Sequence, residues 1–238
     1  MTAPTSGPVR AEDTSGDRFA DLPAGPRLCH RTEGPDDGVP PGRLRQLLAR
    51  PRPDAYDLAD MAADTVGLLQ HLGIDRVHLV GMSMGGMIAQ TVAARHPDRV
   101  ASLTSISSTT GDRRVGQPAR FTLVRLARGP ARTVEESVQR HLGMLRHIGS
   151  PTALPDDDLE RAWAVGFWER GGGVAARAGV PRRISAIQAS GDRTAELRRI
   201  TAPTLVVHGS TDRMVHPTGG RATAAAVPGA PLPAGAPR

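Results

Sequence analysis

Apolar and polar positions follow clear periods from Tyr56 onward. Between Leu58 and Leu72 the apolar residues recur at helical spacing, and Gly73 ends that pattern. The stretch Met84–Arg95 predicts a second helix. Short apolar runs predict strands at Val77–Val80, Val100–Ile106 and Leu205–His208. The strand at Val77–Val80 is expected to be buried. Strands that alternate with helices predict an α/β fold with a parallel sheet and helices on both of its faces.

The middle of the chain, residues 111–199, is predicted to be mostly helical. Thr133 with Glu136 three positions later forms a capping box that opens one helix, and Gly149 ends it. Further helices are expected from Asp156 to Trp168 and from Arg183 to Ala189.

Both ends of the chain lack such periodicity. Residues 1–54 are rich in Pro, Gly, Asp and Arg, and Arg27–Arg31 is the one strand candidate there, so this segment is predicted to be poorly ordered. Residues 217–238 are predicted to be a disordered or truncated tail, because from Ala222 they are almost wholly Ala, Pro, Gly and Arg.

Composition restricts the compartment and the partners. The 30 basic residues are all arginine and give a net charge of +6, but they are interspersed with acids and aromatics are only 3%, so nucleic acid is not an expected partner. No apolar run approaches the ~20 residues that span a membrane. Met1–Arg27 has no apolar stretch of signal-peptide length. Cys29 is the single cysteine. We therefore expect a cytoplasmic protein without membrane attachment, metal or other cofactor.

The candidate chemistry lies between the strand at Val77–Val80 and the helix at Met84–Arg95. Here the chain reads Gly81-x-Ser83-x-Gly85, the pattern of a nucleophile elbow, in which a serine on a tight strand-to-helix turn needs small neighbours. The helix that follows directs its N–H groups at a developing oxyanion, so the Met84 N–H is a candidate oxyanion donor. The alternative is a serine in an ordinary glycine turn.

Residues 55–103, with this elbow, resemble the central segment of the α/β-hydrolase superfamily. Residues 198–215, which contain His208-Gly-Ser-Thr-Asp212, resemble its later strand and acid loop. Within that superfamily the chain looks most similar to small esterases of the aclacinomycin methylesterase type, over roughly Asp54–Val227.

This resemblance implies that Ser83 is the nucleophile and Asp212 the triad acid, in the chain order Ser, Asp, His. It also implies a hydrolase core made of residues 55–110 and 200–216, with a helical lid at 111–199 that shapes substrate entry. An aspartate after Gly-Ser-Thr can alternatively cap a turn.

Two parts of the family pattern have no counterpart, so an incomplete α/β-hydrolase fold is expected. Only Pro40–Asp54 is available for the strand and loop that carry the second oxyanion donor, and this stretch contains no His-Gly type loop. The catalytic histidine should follow a strand after Asp212, yet no histidine occurs beyond His216. His216 itself is an alternative base, on a loop where the family does not place one. A β edge left without its neighbour strand favours aggregation.

Several functions remain open at this point. The first is a serine hydrolase of a small-molecule ester, acting through an acyl-enzyme. The second is a non-catalytic truncated pseudoenzyme or a mispredicted gene product. The third is a cofactor-free perhydrolase, which would use the same residues. A dinucleotide-binding domain is disfavoured because Gly81-x-Ser83-x-x-Gly86 lacks the required glycine spacing and a suitably placed acid.

Overall fold

A computed structural model describes residues 56–126, 131–150, 156–170 and 179–233, together with two short strands near the amino terminus. The chain divides into two compact units, Met1–Asp37 and Gly38–Arg238. In the first unit, β1 (Arg18–Ala20) pairs antiparallel with β2 (Leu28–His30), which confirms the strand predicted there. Apart from these strands, the predicted poor order of residues 1–54 lies outside the described residues.

The second unit alternates helices and strands in the predicted order. Its elements are α1 (Leu58–His71), β3 (Val77–Met82), α2 (Met84–Arg95), a 3-10 turn (Pro97–Arg99), β4 (Val100–Ile106), α3 (Arg120–Leu126), α4 (Val134–Ile148), α5 (Asp157–Arg170), α6 (Gly179–Ser190), α7 (Thr194–Leu197), β5 (Thr204–Val207) and α8 (Thr218–Ala226). Capping explains the first boundary, because the Asp57 carboxylate accepts the backbone N–H groups of Ala59 and Asp60.

The strands form a parallel sheet in the order β3-β4-β5. Met82 pairs with Ile106, and Ile106 pairs with Val207, so the three carboxyl ends lie at one level. The predicted α/β class with a parallel sheet is confirmed. Loops that follow these strands leave the sheet at a single edge, which is where ligand sites of such sheets form.

One face of this sheet carries the main core. Leu79, Leu103 and Val206 share that face by register, and Leu103 and Val206 are each 1% exposed. Helix α2 packs over it through Val92 and Ala93, which are both fully buried. The burial of this face therefore fixes the position of α2, the helix that follows Ser83.

The opposite face is open among the described residues. Val80 is 70% exposed and Met82 is 67% exposed, while Leu205 and Val207 are exposed beside them. The predicted burial of the Val77–Val80 strand is therefore wrong for Val80. The reason is the period of two: alternate residues of β3 point to opposite faces, and only one of these faces is covered by a described helix.

The predicted disorder of residues 217–238 is wrong for the segment up to Val227. Thr218–Ala226 forms α8. Thr223 within this helix is fully buried, and Val227, which directly follows it, is 2% exposed. Small residues pack here by close approach, so no large apolar period marks the helix in the sequence. Beyond it, the Pro231 carbonyl accepts the Val206 N–H at 3.1 Å, which places the chain beside β5. Residues 234–238 are outside the described part.

None of the helices in the described ranges combines the length and the apolar character needed to cross a membrane.

Candidate active site

Ser83 occupies the sharp turn between β3 and α2. Its backbone has φ 53° and ψ −120°, a conformation that a residue with a side chain rarely adopts. The Ser83 N–H donates to the Ile106 carbonyl at 2.9 Å, and the Ser108 hydroxyl donates to the Ser83 carbonyl at 3.0 Å. Such a conformation costs about 1–3 kcal/mol, and the surrounding contacts hold it in place.

Two glycines make this turn possible. A Cβ on Gly81 would overlap the Gly85 carbonyl oxygen, and one on Gly86 would lie 2.8 Å from the Ser108 Cβ. A Cβ on Gly85 would meet nothing within 4 Å. The sequence motif indicates Gly81 and Gly85 as the space-making pair, whereas the close contacts are at Gly81 and Gly86. The sequence does not show that Gly86 rather than Gly85 makes the close contact, because both residues are glycine.

The N–H group of Met84 lies beside Ser83 and has no acceptor among the residues that the structure describes. The Ser83 carbonyl already accepts the Met87 N–H at 3.1 Å, so Ser83 is the N-cap of α2 and makes no side-chain cap itself. The first N–H groups of a helix have no acceptor within it. The Met84 N–H can therefore donate to an oxyanion formed at Ser83. The stretch predicted to lack a second donor, Pro40–Asp54, lies outside the described residues.

Asp212 lies in the loop after β5, which we call the acid loop (His208–Val215). Its Oδ1 accepts the Met214 N–H at 2.8 Å and the Val215 N–H at 3.0 Å. The side chain is 12% exposed. One carboxylate oxygen thus caps the turn, as the structural interpretation of this aspartate predicts. The other oxygen, Oδ2, has His208 Nε2 as a neighbour at 3.6 Å.

His208 fastens the acid loop from the inside. Its Nε2 donates to the Val215 carbonyl at 2.7 Å, and its side chain is only 2% exposed. Gly220 of α8 packs on the ring, where a Cβ would lie 2.5 Å from Nδ1. The Nδ1 atom has no partner among the described residues. The bond from His208 to Val215 therefore supports the loop that carries Asp212.

A helix of the predicted lid holds the same loop from outside. The Thr122 hydroxyl donates to the Arg213 carbonyl at 2.9 Å and lies 2.9 Å from His147 Nε2 on α4. Since that hydroxyl donates to the carbonyl, Nε2–H is the donor to Thr122. Burial lowers the pKa of His147, and the positive charges of Arg125 and Arg213 lower it further.

Ser83 and Asp212 both follow strands at the carboxyl edge of the sheet, and among the described residues no histidine bridges them. Ser83 and Asp212 follow strands separated by one other, roughly 9–10 Å apart at their ends. In a triad an imidazole fills that gap. His216 is exposed, and its Nδ1 instead accepts from the Thr218 hydroxyl at 3.0 Å. No histidine in the described ranges hydrogen-bonds to Ser83, and no described group of three metal-ligating side chains could hold a metal.

Comparison with known proteins assigns residues 40–232 to the model of a family described as the alpha/beta hydrolase fold. A hydrolase from Cupriavidus pinatubonensis, named for 2-hydroxy-6-oxononadienedioate and 2-hydroxy-6-oxononatrienedioate, is 31% identical over 170 residues. That match covers 70% of this chain and 56% of the hydrolase, so the chain spans a little over half the length of this relative.

Two solved structures resemble the fold of this chain over about two thirds of their own length. The enol-lactonase from Burkholderia xenovorans LB400 has a TM-score of 0.54 and 25% identity, covering 74% of this chain and 64% of its own. Est816, described as an N-acyl homoserine lactone degrading enzyme, has a TM-score of 0.57 and 25% identity, covering 75% of this chain and 66% of its own.

Proposed function

Because this chain belongs to the α/β-hydrolase family, we propose that it is a serine hydrolase that attacks a small ester-like substrate through Ser83. The observation that carries the proposal is the strained backbone of Ser83, φ 53° and ψ −120°, between a strand and a helix. Strain of this kind persists where the site needs it. The closer resemblance to esterases of the aclacinomycin methylesterase type stays a prediction.

The proposed reaction has two stages. The Ser83 Oγ bonds to the substrate carbonyl carbon while its proton passes to a base, and the Met84 N–H stabilises the resulting oxyanion. The carbonyl re-forms, the bond to the alcohol oxygen breaks, and the alcohol leaves with the proton. Water then attacks the acyl-enzyme and releases the carboxylic acid. Esters and lactones are the substrates to assay, since two structural neighbours are described as acting on lactones.

The base is the component that limits the proposed rate. No histidine in the described ranges hydrogen-bonds to Ser83, and a serine hydroxyl without a base is a weak nucleophile. We therefore expect slow ester hydrolysis that added imidazole accelerates.

The test combines a fluorophosphonate probe with hydrolysis of p-nitrophenyl acetate. Wild type should be labelled and should hydrolyse the ester, and Ser83→Ala should lose both. Ser137→Ala, a serine on α4, is the matched control and should keep both. Equal labelling or equal rates in Ser83→Ala and wild type would refute the proposal.

Imidazole then separates two sources of the base. Imidazole cleaves p-nitrophenyl acetate by itself, so the rate without protein is subtracted first. If imidazole then raises the rate of wild type but not of Ser83→Ala, the site lacks its own base. If it has no effect on an already fast wild type, His216→Ala tests the histidine that directly follows the acid loop.

A non-catalytic protein is the second candidate. Two observations favour it. His208 Nε2 lies 3.6 Å from Asp212 Oδ2, and His216 Nδ1 hydrogen-bonds to the Thr218 hydroxyl, so both histidines have neighbours other than Ser83. In that case the probe labels wild type no faster than Ser83→Ala, with or without imidazole.

A further inference from the structure

Arg193 is a buried cation behind the elbow that no sequence motif marks. It precedes α7 and is 5% exposed, and its own N–H donates to the Thr110 carbonyl at 2.9 Å. The side chain runs from there to the first turns of α2. Arginine is rarely fully buried unless its N–H groups are matched by acceptors.

Its guanidinium joins two segments that flank Ser83. Nη1 donates to the Met87 carbonyl at 3.0 Å and to the Gln90 Oε1 at 3.1 Å, both on α2. Nη2 donates to the Thr109 carbonyl at 2.8 Å, in the loop after β4. That loop also carries Ser108, whose hydroxyl donates to the Ser83 carbonyl at 3.0 Å. The fork thus connects the helix that begins at the nucleophile with the loop that supports it.

These acceptors are all neutral, which sets this arginine apart from an ordinary ion pair. Burial lowers the pKa of Arg193 to about 10, while the nearby acids Glu196 and Asp192 raise it and Arg95 lowers it. The group is therefore still charged at neutral pH. Charged donors make the stronger hydrogen bonds, and a planar fork fixes the geometry of its acceptors.

We propose that Arg193 is a positioning residue: its guanidinium fixes the first turn of α2 against the Ser108–Thr109 loop and so holds Ser83 in its strained conformation. The inference rests on the proposed function of Ser83. It concerns the backbone around the nucleophile, however, so it can be measured without any turnover.

Arg95 offers a matched control on the same helix. It lies at the other end of α2 and pairs with Glu196 of α7, so it also ties α2 to the segment that follows Arg193. Its side chain is 47% exposed. A purely structural contribution of Arg193 would resemble that of Arg95. A positioning contribution is confined to the end of α2 that begins at Ser83.

Amide hydrogen exchange of the full chain tests the inference directly. The Ser83 N–H and the Met87 N–H are protected by the Ile106 and Ser83 carbonyls. In Arg193→Gln both should exchange at least about 10-fold faster while the amides of α1 stay unchanged. In Arg95→Gln faster exchange should appear at His96, whose N–H donates to Val92, and not at Ser83.

The rate of fluorophosphonate labelling is the second readout. A misplaced nucleophile loses about 100-fold in rate, so Arg193→Gln should show that loss with an unchanged binding constant for the probe. Arg193→Lys, which keeps the charge and one donor group, should recover part of it. Unchanged exchange at Ser83 and Met87 in Arg193→Lys and Arg193→Gln would overturn the inference.

The two proposals fail in different ways. If wild type is not labelled but exchange at Ser83 rises in the Arg193 variants, positioning stands and the hydrolase proposal falls. If labelling is normal and exchange is unaffected, the reverse holds. Should Arg193→Gln not fold, Arg193→Lys gives the exchange result that decides.

Discussion

The elbow and the acid loop carry the two halves of the candidate site, and they are held by different forces. At the elbow, neighbouring backbone atoms at Gly81 and the Ser108 side chain at Gly86 leave no room for a Cβ, and Ser83 is strained. In the acid loop, Asp212 lies in a relaxed turn whose N–H groups bind its carboxylate. Ser83 is thus placed by steric exclusion and Asp212 by hydrogen bonds.

This difference determines which changes each half tolerates. Steric placement fails when atoms are added, whereas hydrogen-bonded placement fails when acceptors are removed. Adding atoms should therefore destabilise the elbow, whereas removing an acceptor should destabilise the acid loop.

The largest effect is expected for Gly81→Ala. The added methyl group would overlap the Gly85 carbonyl oxygen, and only a backbone shift relieves that contact, so the free energy of unfolding should fall by at least about 3 kcal/mol. Gly85→Ala has open space and should change it by less than about 1 kcal/mol. Urea unfolding measures both; equal effects would mean that the elbow is not sterically closed.

Removing the acid loop's acceptor should cost less. Asp212→Ala leaves the Met214 and Val215 N–H groups without their carboxylate, and we expect a loss of about 1–3 kcal/mol in the free energy of unfolding. Ser210→Ala, an exposed change in the same loop, should stay within about 0.5 kcal/mol. If the two variants unfold alike, hydrogen bonds to Asp212 do not hold this loop.

Relieving the strain at the elbow should raise stability. Ser83→Gly removes the Cβ at φ 53°, whereas Ser83→Ala keeps it, so the glycine variant should be more stable than the alanine variant by about 1 kcal/mol. Both lack the nucleophile, which makes them a matched pair. Thermal unfolding that ranks alanine above glycine would contradict the strained turn.

The smallest effect concerns acid pH and the helical support of the acid loop. The pKa of folded His147 lies below its ordinary 6.5, so protonation favours the unfolded state. The free energy of unfolding is therefore unaffected by His147 above the ordinary histidine pKa, and it falls as the pH drops below that value. Between about pH 7.5 and about pH 5.5 the melting temperature of wild type should fall more than that of His147→Gln, which donates to Thr122 but does not titrate. Parallel curves would show that this contact does not sense pH.

The sequence predicts the elbow well because its information is local. The helix Met84–Arg95 and the strand Val100–Ile106 have the predicted bounds. Ser83 lies between β3 and that helix. An apolar strand, a glycine motif and a helix follow one another directly within Val77–Arg95, so no distant contact is needed to place them.

Features that depend on tertiary contacts escape the sequence. Helix α8 was expected to be unstructured because Thr223 and its glycine neighbours pack by being small, which leaves no apolar period. Arg193 is one of 30 arginines, and only the fold shows that its acceptors converge from α2 and the loop after β4. Val80 is exposed because no described helix covers its face of the sheet. The residues of the strand alone do not show which of its faces a helix will cover.

The open space at Gly85 makes the elbow accessible to spectroscopy. A Cβ there would meet no neighbouring atom within 4 Å, although the residue is two positions from Ser83. The chain has a single natural cysteine, Cys29, so Cys29→Ser combined with Gly85→Cys would give one thiol beside the nucleophile. A fluorophore on that thiol would report the arrival of a small molecule beside Ser83 in real time, without a chromogenic leaving group.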